Sequence, residues 1–74
     1  MIKDLDLVAL TRGLPEKNLE AGDIGTVVMV HEGGRGYTVE FMTLTGKTLA
    51  IATMDAAAVR PLREHEIANA RAVA

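Results

Sequence analysis

His65-Glu66 opens as a zinc-protease helix does, but the place four residues after the histidine is held by Asn69. That chemistry needs two histidines one helical turn apart on a common face, so the pair reads as chance. His31 stands beside Glu32 at what the pattern makes a strand end. A histidine there could make a pH-sensitive contact, and a solvated ring is the plainer reading. Asp4, Asp6 and Asp23 are the carboxylates that folding could gather for acid–base work. Asp23, however, sits in Ala21-Gly22-Asp23, where a short acidic side chain organises its own turn. Gly33-Gly34-Arg35-Gly36 could cradle a phosphate with its amides. It falls between two extended runs with no helix behind it to add a dipole, and reads as a flexible hairpin tip. Serine and cysteine are absent altogether, which leaves threonines with no partnered base as the nucleophiles. No catalytic residue, metal ligand or cofactor site is expected from this set, and no enzymatic activity.

The elements that would position these residues are short extended runs parted by turns, the signature of a small all-β domain. Leu5 to Leu10 is the first run; Val8 and Leu10 are expected inward, with Asp6 at the rim. Thr11 to Asp23 is a long connection punctuated by Gly13 and Pro15, in which Leu14 and Leu19 either plug one end of the core or present an interaction surface. Gly25 to His31 is the clearest strand, and Tyr37 to Phe41 alternates to place Tyr37, Val39 and Phe41 on one face. Thr45-Gly46 turns the chain into Thr48 to Thr53, where Leu49 and Ile51 are expected inward and Ala50 and Ala52 form a smooth outer face. Asp55 caps a helical turn over Ala56-Ala57-Ala58, and Val59 to Leu62 is the last strand, with Pro61 tolerable only at an edge.

Five strands, a long first loop and a helical turn before the last strand predict a closed five-stranded SH3-like barrel over residues 1–62. Residues 63–74 change character. Their alanines, Glu64, Glu66 and Arg71 predict a short C-terminal helix with Ile67, Ala70 and Ala74 on one stripe. A dozen residues is marginal for a lone helix, so this tail docks on its own barrel, docks on a neighbour, or frays.

The chain has 74 residues, 49% of them apolar, and a net charge of −2 from eight basic and ten acidic side chains spread along it. A core this small usually needs a staple. Disulfides are excluded by composition and a metal by the want of ligands, so association, most simply a homo-oligomer, is the staple expected. No apolar run is long enough for a signal peptide or a membrane span, and the lack of cysteine fits a reducing cytoplasm.

Asp6-x-Val8-x-Leu10, Leu14-Pro15 and Leu19-x-x-Gly22-Asp23-x-Gly25-Thr26-Val27-Val28 recur in order with Tyr37-x-Val39-Glu40-Phe41, Gly46-x-Thr48-x-Ala50 and Val59-Arg60-Pro61. Over Lys3 to Pro61 this resembles an uncharacterised bacterial family of domains of unknown function. The resemblance implies an SH3-like barrel and no established activity, so no catalytic residues are carried over. Gly22-Asp23-Ile24-Gly25-Thr26-Val27-Val28 is also similar to the glycine-containing motif of ribosomal and transcription-factor barrels that bind RNA, without their accompanying basic residues.

Three functions are in competition. The first is a protein-interaction module, self-associating or an antitoxin-like or regulatory partner, using Leu14, Leu19, Ala50, Ala52, Ile67 and Ala70. The second is nucleic-acid binding through Arg12, Arg35, Lys47 and Arg60, disfavoured by the charge balance and by aromatic residues limited to Tyr37 and Phe41. The third is an accessory subunit of a neighbouring enzyme. The first is the expected one.

Overall fold

The computed structural model describes residues 1–73; Ala74, placed on the helical stripe by the sequence, lies outside them. Five strands form one antiparallel sheet: β1 (Leu7–Leu10), β2 (Ile24–His31), β3 (Gly36–Met42), β4 (Thr48–Asp55) and β5 (Val59–Pro61), in the order β4-β3-β2-β1-β5. Among the described residues no helix is long and apolar enough to cross a membrane.

The strands fall where β-branched and aromatic residues alternate, and turn residues separate them. The β2–β3 hairpin reverses over Glu32, Gly33 and Gly34, all at positive φ, a run that glycine tolerates and other residues resist. The long β1–β2 connection is closed by a single 3-10 turn, Pro15–Lys17, and by reciprocal backbone bonds between Leu14 and Leu19. β1 starts two residues later than expected because Leu5 takes a left-handed conformation (φ 71) inside a turn from Lys3 to Asp6.

Val8, Leu10, Val27, Tyr37, Val39 and Phe41 fill the core, joined by Leu19 from the loop and by Ala52, Met54, Ala58 and Val59. Every buried residue outside glycine is apolar, so burial of hydrocarbon is what holds the sheet bent around this cluster.

Three expectations are corrected. The sheet is not closed into a barrel: β4 and β5 are its two edges and do not pair with each other. β5 has three residues, all spent on β1, and ends on Pro61, which has no N–H to offer a further strand. The second correction is the facing of β4. Tyr37, Val39 and Phe41 lie directly opposite Met54, Ala52 and Ala50, and opposed residues of an antiparallel pair share a face. The large residues of β3 take the interior volume, which leaves room only for alanine across from Val39 and Phe41. Ala52 is therefore 7% exposed, while Leu49 and Ile51 are 40% and 55% exposed. A bulge between Phe41 and Met42 makes Leu49 the extra residue of its strand.

Third, no C-terminal helix forms among the described residues. Beyond β5 the chain makes one turn near Glu64-His65 and then runs without regular structure along the molecule. Glu66 pairs with Arg60, and Arg71 with Asp23 and Glu20, which holds it there, and a lone helix of this length has too few hydrogen bonds to compete. Asp55 likewise precedes the 3-10 turn Ala56–Ala58 without capping it through its side chain; its carboxylate lies 3.5 Å from Arg12 instead.

Candidate interaction surface

Asp6 accepts the Lys3 backbone N–H at 2.9 Å, and this bond, with the nearby Lys3 ammonium, holds its carboxyl below the usual range. Asp23 accepts the Glu20 backbone N–H at 2.8 Å within its own turn. His31 Nε2 is 2.7 Å from Thr38 Oγ1, which is 2.8 Å from Thr53 Oγ1, a short polar chain across the outer face of β2, β3 and β4. Each of these groups is held in a local structural contact, and among the described residues no three His, Asp or Glu side chains converge as metal ligands.

The basic residues weighed for nucleic acid do not form one patch. Arg12 and Arg35 come to the same end of the sheet, Arg12 beside Asp55 and the Arg35 carbonyl accepting from the Ala56 N–H. Lys47 lies at the opposite end of β3, about 20 Å away at the rise of an extended strand. Arg60 is taken up by Glu66, with paired bonds of 2.8 and 2.5 Å.

The residues weighed for interaction are also dispersed. Leu19 is buried, Leu14 and Ala50 pack partly buried against the core, and Ala52 is inside the sheet. Ile67 is 91% exposed on the tail, and Ala70 is exposed beside it. Two surfaces are more coherent, and the second brings Leu19 and Ala70 of that set to one groove.

One is the free edge of β4. It pairs only with β3, runs uncharged from Thr48 to Met54, and carries the exposed Leu49 and Ile51. The signal for it was present in the sequence: a strand beside Tyr37-x-Val39-x-Phe41 that alternates alanine with leucine and isoleucine must put the small residues against the large ones.

The other is a groove of about 580 Å³ between the β1–β2 loop, the β3–β4 hairpin and the tail, lined by Ile24, Phe41, Met42, Leu44 and Leu49 from the sheet side. Ala68, Asn69, Ala70, Arg71 and Val73 of the tail line its other wall. Arg71 anchors that wall on Asp23, Nε to Oδ1 at 2.9 Å and Nη2 to Oδ2 at 2.5 Å. The guanidinium holds the Asp23 carboxyl below its ordinary value, with the Glu20 N–H adding to the effect. Further back, Arg60 and the Arg63 backbone N–H hold Glu66 down to about 2. The sequence clue was Arg71 itself, the sole charge between Ile67 and Ala74.

No curated protein and no solved structure matches this chain. A family model described as a domain of unknown function, DUF4926, matches residues 4–61, which takes in all five strands and leaves out the tail. Spanning the whole sheet as it does, that match makes the chain a member of the DUF4926 family.

Proposed function

We propose that this is a non-enzymatic, cytoplasmic protein-interaction module of SH3-like build that self-associates through the edge of β4. The strand order, the long β1–β2 loop and the 3-10 turn before β5 support the SH3-like assignment. The observation that carries the self-association is the contrast between the two edges. β5 is blunted in the ways edges usually are: it is short, ends in proline, and bears an arginine tied to Glu66. β4 has none of these devices. It offers the outward-facing backbone groups of an eight-residue strand, with no charge before Asp55 and two exposed aliphatic side chains.

A second copy is the simplest partner for such an edge. Two β4 strands brought together antiparallel about a two-fold axis are self-complementary, and the contact closes without further growth. Leu49 and Ile51 then supply apolar burial alongside the backbone bonds.

The test is solution mass by light scattering at rising concentration. Wild type should give a dimer. Ile51→Lys places a charge on the edge and should give a monomer with an unchanged circular-dichroism spectrum, since Ile51 is outside the core. A wild-type protein that stays monomeric up to the millimolar range would refute edge pairing.

A further inference from the structure

We infer that the surface beside the β1–β2 loop, which forms the sheet-side wall of the groove, is a binding site for an extended peptide segment carrying an arginine next to apolar side chains, and that residues 68–73 cover it in cis as a displaceable ligand. This surface meets the free edge of β4 at Leu49, which belongs to both, but it does not rest on pairing through that edge.

The polar end of the groove is shaped for a guanidinium. Asp23 meets Arg71 at two points, the fork-to-fork geometry that distinguishes arginine recognition from a simple charge contact. The Asn18 carbonyl accepts a further bond from Nη2 at 3.1 Å, and Glu20 lies 3.5 Å from Nη1. These acceptors are set before any arginine arrives. Asn18 is fixed in a left-handed conformation at the end of the 3-10 turn, and the Asp23 carboxylate is already held by the Glu20 N–H. Pre-organised acceptors bind with less ordering cost.

The apolar end is poorly filled. Leu44 and Met42 stay exposed with the tail in place, and the tail brings alanines at 68 and 70 where a larger side chain would pack. The occupant thus satisfies the arginine receptor and leaves the adjoining hydrocarbon wet. All of the acceptors and all of the sheet-side apolar lining lie within residues 4–61, whereas Arg71 lies beyond the family match. The receptor belongs to the domain and its present ligand to an appended segment.

Tethering gives the tail an effective concentration on the order of a millimolar. A free segment displaces it only by making contacts the tail lacks. A leucine in place of Ala70 should provide them, worth roughly tenfold in affinity.

The experiment uses fluorescein-labelled synthetic peptides of residues 66–74, with and without Ala70→Leu, titrated by anisotropy onto the full chain. The Arg71→Ala protein, its own arm unanchored, should bind the natural peptide at least tenfold more tightly than wild type does. It should bind the leucine peptide tighter still, and Asp23→Asn in that background should abolish both. In wild type, excess leucine peptide should shift and sharpen the NMR signal of the Arg71 side-chain NεH as the arm is released. Absence of anisotropy change with folded Arg71→Ala, equal binding after Asp23→Asn, or an unmoved Arg71 signal in wild type would each overturn the site. Solution mass of the same variants reads β4 pairing separately, so the two surfaces stand or fall apart.

Discussion

A β-carbon added to Gly25 would stand 2.5 Å from Cγ1 of Val39 and 2.9 Å from Cε1 of Phe41, with the Glu40 carbonyl at 3.0 Å. Gly25 lies in β2 beside the inner face of β3, where the side chains of Val39 and Phe41 fold over its bare α-carbon. The neighbours cannot retreat, because Val39 and Phe41 are themselves fully packed. Gly25→Ala should therefore destabilise the domain by about 3 kcal/mol, at the upper end of overpacking effects. Urea denaturation of the two proteins measures it. A loss below about 1 kcal/mol would mean that the core has slack which interiors ordinarily lack.

The sequence disclosed this glycine only as part of a strand, and the same limit explains the rest of what it hid. Strand positions, the inner face of β3 and both hairpin turns were legible because each depends on alternation or turn chemistry within a few residues. The facing of β4 was not. Alone, Leu49 and Ile51 are the better candidates for burial; what sends them outward is volume claimed by Phe41 and Val39 on another strand. Barrel closure failed for a different reason: β4 and β5 are neighbours in sequence, but β5 spends its three residues on β1 and has no backbone left to exchange with β4. In the tail, helix propensity was read correctly as local preference and was overruled by Asp23, which lies 48 residues from Arg71. Of the candidate site, Leu14 and Leu19 were read as plugs for one end of the core or an interaction surface and lie at or in the core, Ala52 was read as outward and is buried, and Asp23 was read as a turn former and is also the tail's anchor.

The reversed facing of β4 has a direct test. Ala52 is opposite Val39 inside the sheet, whereas Ile51 is opposite Glu40 on the outside. Ala52→Leu should cost about 1–3 kcal/mol through overpacking. Ile51→Ala should leave the stability of the folded monomer within about 0.5 kcal/mol of wild type. Thermal melts at a concentration low enough to suppress association compare them. The opposite ranking would restore the facing that hydrophobicity alone predicts.

Leu5 holds a left-handed backbone at φ 71 with its side chain 73% exposed. A branched residue in that region carries strain of about 1–2 kcal/mol, and so exposed a side chain returns little by burial. Leu5→Gly removes the strain but frees the unfolded chain, a loss of about 0.4–1 kcal/mol. The balance favours the variant by up to about 1 kcal/mol, seen as a rise in melting temperature of a few degrees. A fall in melting temperature would show that Leu5 contributes packing beyond what its exposure implies.

Acid should release the tail before it unfolds the sheet. Glu66 and Asp23 are the two carboxylates that fasten it, the first facing Arg60 and the Arg63 N–H, the second facing Arg71 and the Glu20 N–H, with the Glu20 carboxylate near the same guanidinium. Both carboxyls have folded-state values lowered from the ordinary ones, Glu66 to about 2. A group whose value is depressed on folding stabilises the bound arrangement above its free value, and that stabilisation is lost as pH falls toward the folded one. The tail should accordingly be held equally at pH 7 and pH 5.5, loosen progressively below about pH 4.5, and be free near pH 2. Among the described residues no carboxylate or histidine is buried in the core to take up protons with it, so β-sheet circular dichroism should persist after the tail has detached. Backbone heteronuclear NOEs at residues 67–73, followed by NMR from pH 6 to pH 2, separate the two events by reading the order of the tail directly. Asp23→Asn should bring tail release up to neutral pH, because it removes the charge that Arg71 pairs with while keeping the side chain's shape. Tail order that survives undiminished to pH 2, or is already absent at pH 6 in the unmodified chain, would mean that these two carboxylates are not what fasten it.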